Sequence, residues 1–190
     1  MKVIYIIGIP GTGKSTLMRA LMGRISKGMK SEWAEERVAD LLDTHVEGTR
    51  RYRILGKYAE GEIYSGTDRL SMAVSPKAVS WIKTKPAEII IGEGDRLNNK
   101  AFFQACGNDL TIIQLTAPKS ILEERYKERG STQSLKFIQT TITKCKNVIE
   151  AYGDRQTLFG REAGCVVSFN HETPADTEKI INFILKTNLT

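Results

Sequence analysis

Apolar positions change period several times along the chain. Val3 to Ile7 is a continuous apolar run that stops at Gly8, which predicts a buried central strand over Lys2–Ile7. From Lys14 to Lys27 the residues Leu17, Ala20, Leu21 and Ile25 recur at helical spacing. Ser31 opens what reads as a second helix, with Trp33, Val38, Leu41 and Leu42 as its apolar positions. Arg51 to Tyr58 reads as a strand and Ala59 to Asp68 as a glycine-punctuated loop. Ser75-Pro76 then starts a helix that reaches about Thr84. Glu88 to Ile91 is another buried strand, ending at Gly92-Glu93-Gly94-Asp95-Arg96. A short helix over Asn98–Cys106 and a strand over Leu110–Leu115 follow. Helices are predicted over Pro118–Arg129, stopping at Gly130, and over Ser131–Tyr152. Cys165–Phe169 is the last strand, and Thr173-Pro174 caps a terminal helix carrying Ile180, Ile181, Phe183 and Ile184. Strands alternating with helices predict an α/β fold: a parallel sheet of about five strands with helices on both faces. Right-handed crossovers place the loops after the strands along one sheet edge, where such folds bind ligands.

Composition narrows the picture only a little. The 190 residues fit one domain, and 41% apolar with 26% charged is the balance of a soluble globular protein. No apolar run approaches the roughly 20 residues that span a bilayer. Val3–Ile7 is too short for a signal core, so a cytoplasmic location without membrane contact is expected. Cys106, Cys145 and Cys165 are far apart and His45 and His171 stand alone, which disfavours zinc sites and disulfide frameworks. A formal charge of +6 (28 basic minus 22 acidic) suits an anionic partner, but any nucleotide enzyme needs cations, so charge alone does not identify one.

The chemistry is concentrated after the first strand. Gly8-Ile9-Pro10-Gly11-Thr12-Gly13-Lys14-Ser15 matches GxxxxGK[ST], with Thr16 following, in the strand–loop–helix context the motif requires. Its glycines let backbone amides wrap a phosphate, with the helix dipole behind them. Lys14 is placed to reach the β- and γ-phosphates of ATP, and the Ser15 hydroxyl to ligate Mg2+.

The pattern GxPGTGKST at the start of a short α/β chain resembles the nucleoside-monophosphate-kinase-like and polynucleotide-kinase-like P-loop kinases. The resemblance implies a P-loop NTPase fold with an arginine-bearing lid at about residues 119–152 and an acceptor-binding region at about 31–84. It also implies an acid at the end of a buried strand beside the metal. Glu93 stands there, with Asp95 as competitor and a solvated turn as the plain alternative. Arg125 and Arg129 lie one helical turn apart, as lid arginines would, or as a solvated face paired with Glu124 and Glu128. Lys136, Lys144 and Lys146 follow, and residues 119–161 hold nine basic and five acidic side chains. Cations closing over a transferring phosphoryl group stabilise its charge and exclude water. By the same resemblance Asn170 and His171 fall where this class contacts adenine.

The acceptor region reads Arg50-Arg51-Tyr52-Arg53-Ile54-Leu55-Gly56-Lys57-Tyr58, then Gly66-Thr67-Asp68-Arg69-Leu70-Ser71. Basic residues interleaved with aromatics suit a phosphate backbone beside an unstacked base. The two segments resemble the phage-encoded DNA kinases of thymidine hypermodification, which phosphorylate the hydroxymethyl group of 5-hydroxymethyluracil in DNA. That resemblance implies DNA carrying a modified pyrimidine as partner and the host cytoplasm as location. It implies Asp68 as general base, where a turn residue paired to Arg69 is the alternative, and Arg51, Arg53, Lys57, Tyr58, Arg69 and Arg96 as substrate contacts. A deoxynucleoside-monophosphate kinase and a non-catalytic nucleotide-binding switch are the competing readings.

Overall fold

In a computed structural model, the structure describes residues 1–49, 51–59, 65–128, 130, 134–153 and 165–187. One seven-stranded sheet organises them: β1 (Lys2–Ile7), β2 (Trp33–Ala39), β3 (Leu42–Glu47), β4 (Tyr52–Leu55), β5 (Ile89–Glu93), β6 (Leu110–Thr116) and β7 (Val166–Asn170). Its order is β2-β3-β4-β5-β1-β6-β7. From β4 to β7 all neighbours are parallel, which is the expected five-stranded core, while β2 and β3 extend it as an antiparallel edge. The helices are α1 (Lys14–Met29), α2 (Val74–Ile82), α3 (Lys100–Cys106), α4 (Lys119–Glu128), α5 (Leu135–Gly153) and α6 (Pro174–Thr187).

Alternation along β1 divides the core in two. Val3, Tyr5 and Ile7 face one side, packing with residues of α2, α3 and α5 such as Ala78, Phe102, Phe103 and Val148. Ile4 and Ile6 face the other, against Leu17, Leu21 and Ile25 of α1 and Ile180, Ile181 and Ile184 of α6. Both faces are therefore covered, which is why the strand reads as an unbroken apolar run rather than an alternating one.

The helix expected from Ser31 is instead the β2–β3 hairpin, turning at Asp40-Leu41 with Leu41 at φ 66°. Ala34, Glu35, Glu36 and Arg37 are good helix formers, so local propensity points the wrong way. Pairing overrides it. β3 docks on β4, and cross-strand ion pairs join Arg37 to Asp43 (2.8 Å) and Glu36 to Arg53 (3.0 Å). The strand predicted over Arg51–Tyr58 is shorter, Tyr52–Leu55, and ends where Gly56 (φ 94°) turns the chain out of the sheet. Among the described residues no helix is long and apolar enough to cross a membrane.

Candidate active site

The loop between β1 and α1 is held open from outside. The carbonyl of Pro10 accepts from the Tyr126 hydroxyl (2.7 Å), that of Gly11 from Arg125 Nη1 (2.9 Å), and that of Thr12 from His171 Nδ1 (2.7 Å). A carbonyl only accepts, so His171 carries its proton on Nδ1. A trans peptide points its N–H opposite its C=O. Anchoring these carbonyls outward therefore turns the amides of Gly11, Thr12 and Gly13 into the loop, with Thr12 N–H over the Ile9 carbonyl at 3.4 Å. Gly13 is needed for this arrangement: its φ is 83°, and a Cβ there would lie 2.4 Å from His171 Nδ1. Lys14 Nζ bridges the mouth, donating to the carbonyls of Gly8 (2.8 Å) and Ile9 (3.2 Å). Beside the mouth lies a cleft of about 210 Å³ lined in part by Gly8, Ile9, Leu115, Ile142 and Cys145. Inward amides, an ammonium group and the start of α1 form a cradle for a polyphosphate.

Ser15, in the first turn of α1, donates its hydroxyl hydrogen bond to Glu93 Oε1 at 3.0 Å. Glu93 ends β5, next to β1 in the sheet, and is 1% exposed. Burial pushes its carboxyl up to about 7; the nearby Asp68 charge adds to the rise, and Lys14, the Ser15 bond and Arg19 counter it. A hydroxyl and a carboxylate oxygen side by side are hard donors suited to Mg2+. Among the described residues no three His, Cys, Asp or Glu side chains cluster to hold a metal. An ion here would thus draw its remaining ligands from phosphate and water, the usual habit of Mg2+. Asp95, the competing acid, points elsewhere: its carboxylate pairs with Lys144 Nζ on α5 at 2.7 Å.

The Gly66–Leu70 segment is bolted to the end of β5. Tyr5 of β1 donates to the Gly94 carbonyl (3.0 Å) and lies 3.0 Å from Thr67 Oγ1, which in turn donates to the Glu93 carbonyl (2.9 Å). Asp68 Oδ1 accepts from the Asp95 amide at 2.6 Å. Arg96 donates to the carbonyls of Leu70 (3.2 Å) and Asp68 (3.4 Å) and contacts Met72 Sδ. Asp68 thus stands beside Glu93 on a braced single turn over Thr67–Arg69. Opposite it, Lys57 and Gly66 form an isolated antiparallel bridge, with N–H···O distances of 3.1 and 2.7 Å. That bridge joins the Gly56-Lys57-Tyr58 and Gly66–Ser71 segments. The Tyr58 ring stacks edge-on with His45 (5.7 Å), and Lys57 pairs with Asp43 at 3.4 Å.

Several predicted residues lie elsewhere or are otherwise engaged. Arg51 precedes β4, at the sheet edge opposite Glu93, and pairs with Glu88 at 2.9 Å. Arg53 is 6% exposed within the sheet, bonded to Glu36 and to Thr44 Oγ1 (2.9 Å), with its guanidinium 5.9 Å from the Trp81 ring centroid. Neither is brought to the site. Arg96 acts on the backbone of the Asp68 segment. Arg125 reaches the phosphate loop and also donates to the carbonyls of His171 (3.2 Å) and Glu172 (3.0 Å), so it couples the loop to the end of β7. Asn170 is exposed at that end and bonds Glu172; Arg69 and Thr16 are exposed. Arg129 lies outside the described residues. Sequence reasoning missed the bracing roles of Tyr5, Thr67 and Tyr126, because each depends on a partner far along the chain.

No curated protein sequence matches the chain. Among solved structures it is similar to a gluconokinase from Sinorhizobium meliloti 1021 (13% identity, TM-score 0.43, covering 98% of this chain and 97% of that one). It is also similar to a sugar kinase from Janibacter sp. HTCC2649 (12%, TM-score 0.48, 98% and 93%). Shikimate kinase from Bacteroides thetaiotaomicron is a third (14%, TM-score 0.41, 100% and 99%). Likeness at this level bears on no substrate. The family model described as P-loop Nucleotide Kinase3 matches residues 1–184. With nearly the whole chain matched and the phosphate loop built as above, the protein belongs to the P-loop Nucleotide Kinase3 family.

Proposed function

We propose that the protein is an ATP-dependent kinase whose acceptor is the hydroxymethyl group of 5-hydroxymethyluracil in DNA. The observation that carries this reading is the Lys57–Gly66 bridge. It brings together the two segments that resemble the thymidine-hypermodification kinases and sets them against Glu93 and the phosphate loop. Lys14 and the loop amides hold the triphosphate, and Ser15 with Glu93 holds Mg2+, which offsets phosphate charge when bound. Asp68 takes the proton of the acceptor hydroxyl. The acceptor oxygen forms its bond to the γ-phosphorus as the bond to the β–γ bridging oxygen breaks, and ADP leaves. A deoxynucleoside-monophosphate kinase is the alternative, favoured by the family's description; there the acceptor is already an anion and Asp68 has no proton to remove.

The test is transfer of label from γ-labelled ATP to a panel of acceptors. Label on DNA containing hydroxymethyluracil, with unmodified DNA and deoxynucleoside monophosphates blank, is expected. Asp68→Asn keeps an oxygen for the Asp95 amide, so it should fold normally while kcat drops by about 10²–10⁴. Label on monophosphates alone overturns the acceptor assignment. Nucleotide binding with every acceptor blank points instead to a non-catalytic switch.

A further inference from the structure

We infer that the hydroxyls of Tyr58 and Ser65 are the specificity-determining contact of the acceptor site, and that they select an acceptor whose reacting end is uncharged. The inference rests on the reading of this site as the place of hydroxyl phosphorylation. Across the antiparallel bridge, one step beyond Lys57 and Gly66 lie Tyr58 and Ser65, and residues opposed in such a pair direct their side chains to one side. Both hydroxyl oxygens are buried, and neither has a hydrogen-bond partner among the described residues; Ser65 is only 3% exposed. Buried hydroxyls are nearly always bonded, so two orphans beside one isolated bridge mark a place built for a polar partner. The Ser65 side of the bridge is held against the metal-side acid: a Cβ on Gly66, the residue after Ser65, would lie 2.5 Å from Glu93 Oε1. Burial raises the Tyr58 hydroxyl well above the ordinary phenol range, and the charges of Glu93 and Asp68 act in the same direction. Tyr58 is therefore a neutral donor here.

Charge decides which polar partner fits. The acceptor side carries the Asp68 carboxylate and two neutral hydroxyls, while Glu93 is turned to Ser15 and the metal side. Its surrounding cations are largely committed: Lys57 to Asp43, Arg96 to backbone carbonyls, Lys144 to Asp95, and Lys14 to the phosphate loop. Arg19 of α1, whose charge acts on both Tyr58 and Glu93, is exposed. A monophosphate delivered to this spot would meet the Asp68 carboxylate and neutral donors, and an uncharged heterocycle with a hydroxyl and carbonyls would meet matched partners.

The test uses Tyr58→Phe and Ser65→Ala in the full chain with hydroxymethyluracil-containing DNA and thymidine monophosphate as acceptors. Each variant should raise KM for the DNA about 2–12-fold, the range for one neutral hydrogen bond, with kcat and the KM for ATP within twofold. The melting temperature should stay level or rise, since the deleted hydroxyl has no protein partner to lose. A lowered melting temperature with unchanged KM marks the hydroxyls as structural and overturns the inference while the kinase reading stands. Should one variant fail to fold, the other carries the same measurement. Thymidine monophosphate phosphorylated as fast as the DNA overturns the selection for a neutral end. Wild-type protein that labels no hydroxyl acceptor defeats the parent reading and this inference with it.

Discussion

Gly66→Ala should be among the most damaging single-methyl additions in this protein. Gly66 sits at φ 69° and ψ −144°, a backbone region almost reserved for glycine, where a side chain costs about 1–3 kcal/mol. The added Cβ would stand 2.5 Å from Glu93 Oε1 and 2.9 Å from the Glu93 carbonyl oxygen. Rotating the carboxylate away relieves only the first contact. The second is backbone against backbone, so the Gly66 segment has to move. Movement breaks the paired bonds between Gly66 and Lys57, each worth about 0.5–1.5 kcal/mol. The sum is roughly 2–6 kcal/mol, or about 4–24 °C of melting temperature for a chain this size. Gly23→Ala is the control, because it lies in α1 with open space around its Cβ position and should stabilise by about 0.5–1 kcal/mol. Thermal unfolding followed by circular dichroism reads both. Displacing Glu93 from Ser15 should also reduce kcat by about 10²-fold, as a 1 Å misplacement of catalytic parts does. A Gly66→Ala protein that melts within a degree of wild type and turns over normally would falsify the reasoning about this junction.

Other expectations follow from the same geometry. Lys14→Ala should weaken ATP binding about 10- to 150-fold, the worth of a charged hydrogen bond, measured by titration calorimetry; unchanged affinity removes Lys14 from the cradle. Because the folded protein holds Glu93 near 7, above the ordinary 4.5, it binds the extra proton between those values, so stability falls as pH rises from about 4.5 to 7. That loss totals about 3 kcal/mol for 2.5 pH units. Glu93→Gln should cancel it, so its melting temperature should pull ahead of wild type with rising pH, and parallel curves would refute the burial argument. Arg53→Ala removes a buried guanidinium paired to the partly exposed Glu36 and should cost about 1.5–3 kcal/mol, the worth of a charged hydrogen bond, while leaving the acceptor KM untouched; a raised KM with intact stability would return Arg53 to the substrate.

The fold and the candidate site were legible in the sequence to different depths. Lys2–Ile7 and the phosphate loop announce themselves because a doubly covered strand and a glycine cradle each have a local signature. The β2–β3 hairpin has none. Ala34 to Arg37 favour a helix in isolation, and only the bonds to β3 and the Glu36–Arg53 pair make them a strand. The Arg51–Tyr58 stripe misled for a geometric reason. Successive strand residues face opposite sides of the sheet and advance about 3.3 Å each, so a stripe contiguous in sequence is scattered in space. Tyr52 and Ile54 turn to one face, while Arg53 joins the ion pairs on the other. Arg51, just before β4, is in register with Glu88, five residues and about 17 Å from Glu93 at the far end of β5.

Strand polarity sorts the candidates better than motif membership does. Gly8 to Ser15 follow β1, Lys57 and Tyr58 follow β4, and Glu93 closes β5; all arrive at the carboxyl edge of the parallel sheet. Asp68 reaches that edge by the Lys57–Gly66 bridge and the Tyr5–Thr67 brace. Residues within or before a strand, such as Arg53 and Arg51, become part of the scaffold instead. In a parallel α/β sheet the loops after the strands converge on one edge, because crossovers carry the chain back along the covered faces. Ser65 obeys the same geometry without belonging to any recognisable motif: it is brought to this edge because its neighbour Gly66 pairs with the chain leaving β4 and packs against Glu93. A serine placed by that pairing has no sequence signature of its own, which is why the contact with the acceptor emerges only from the folded chain.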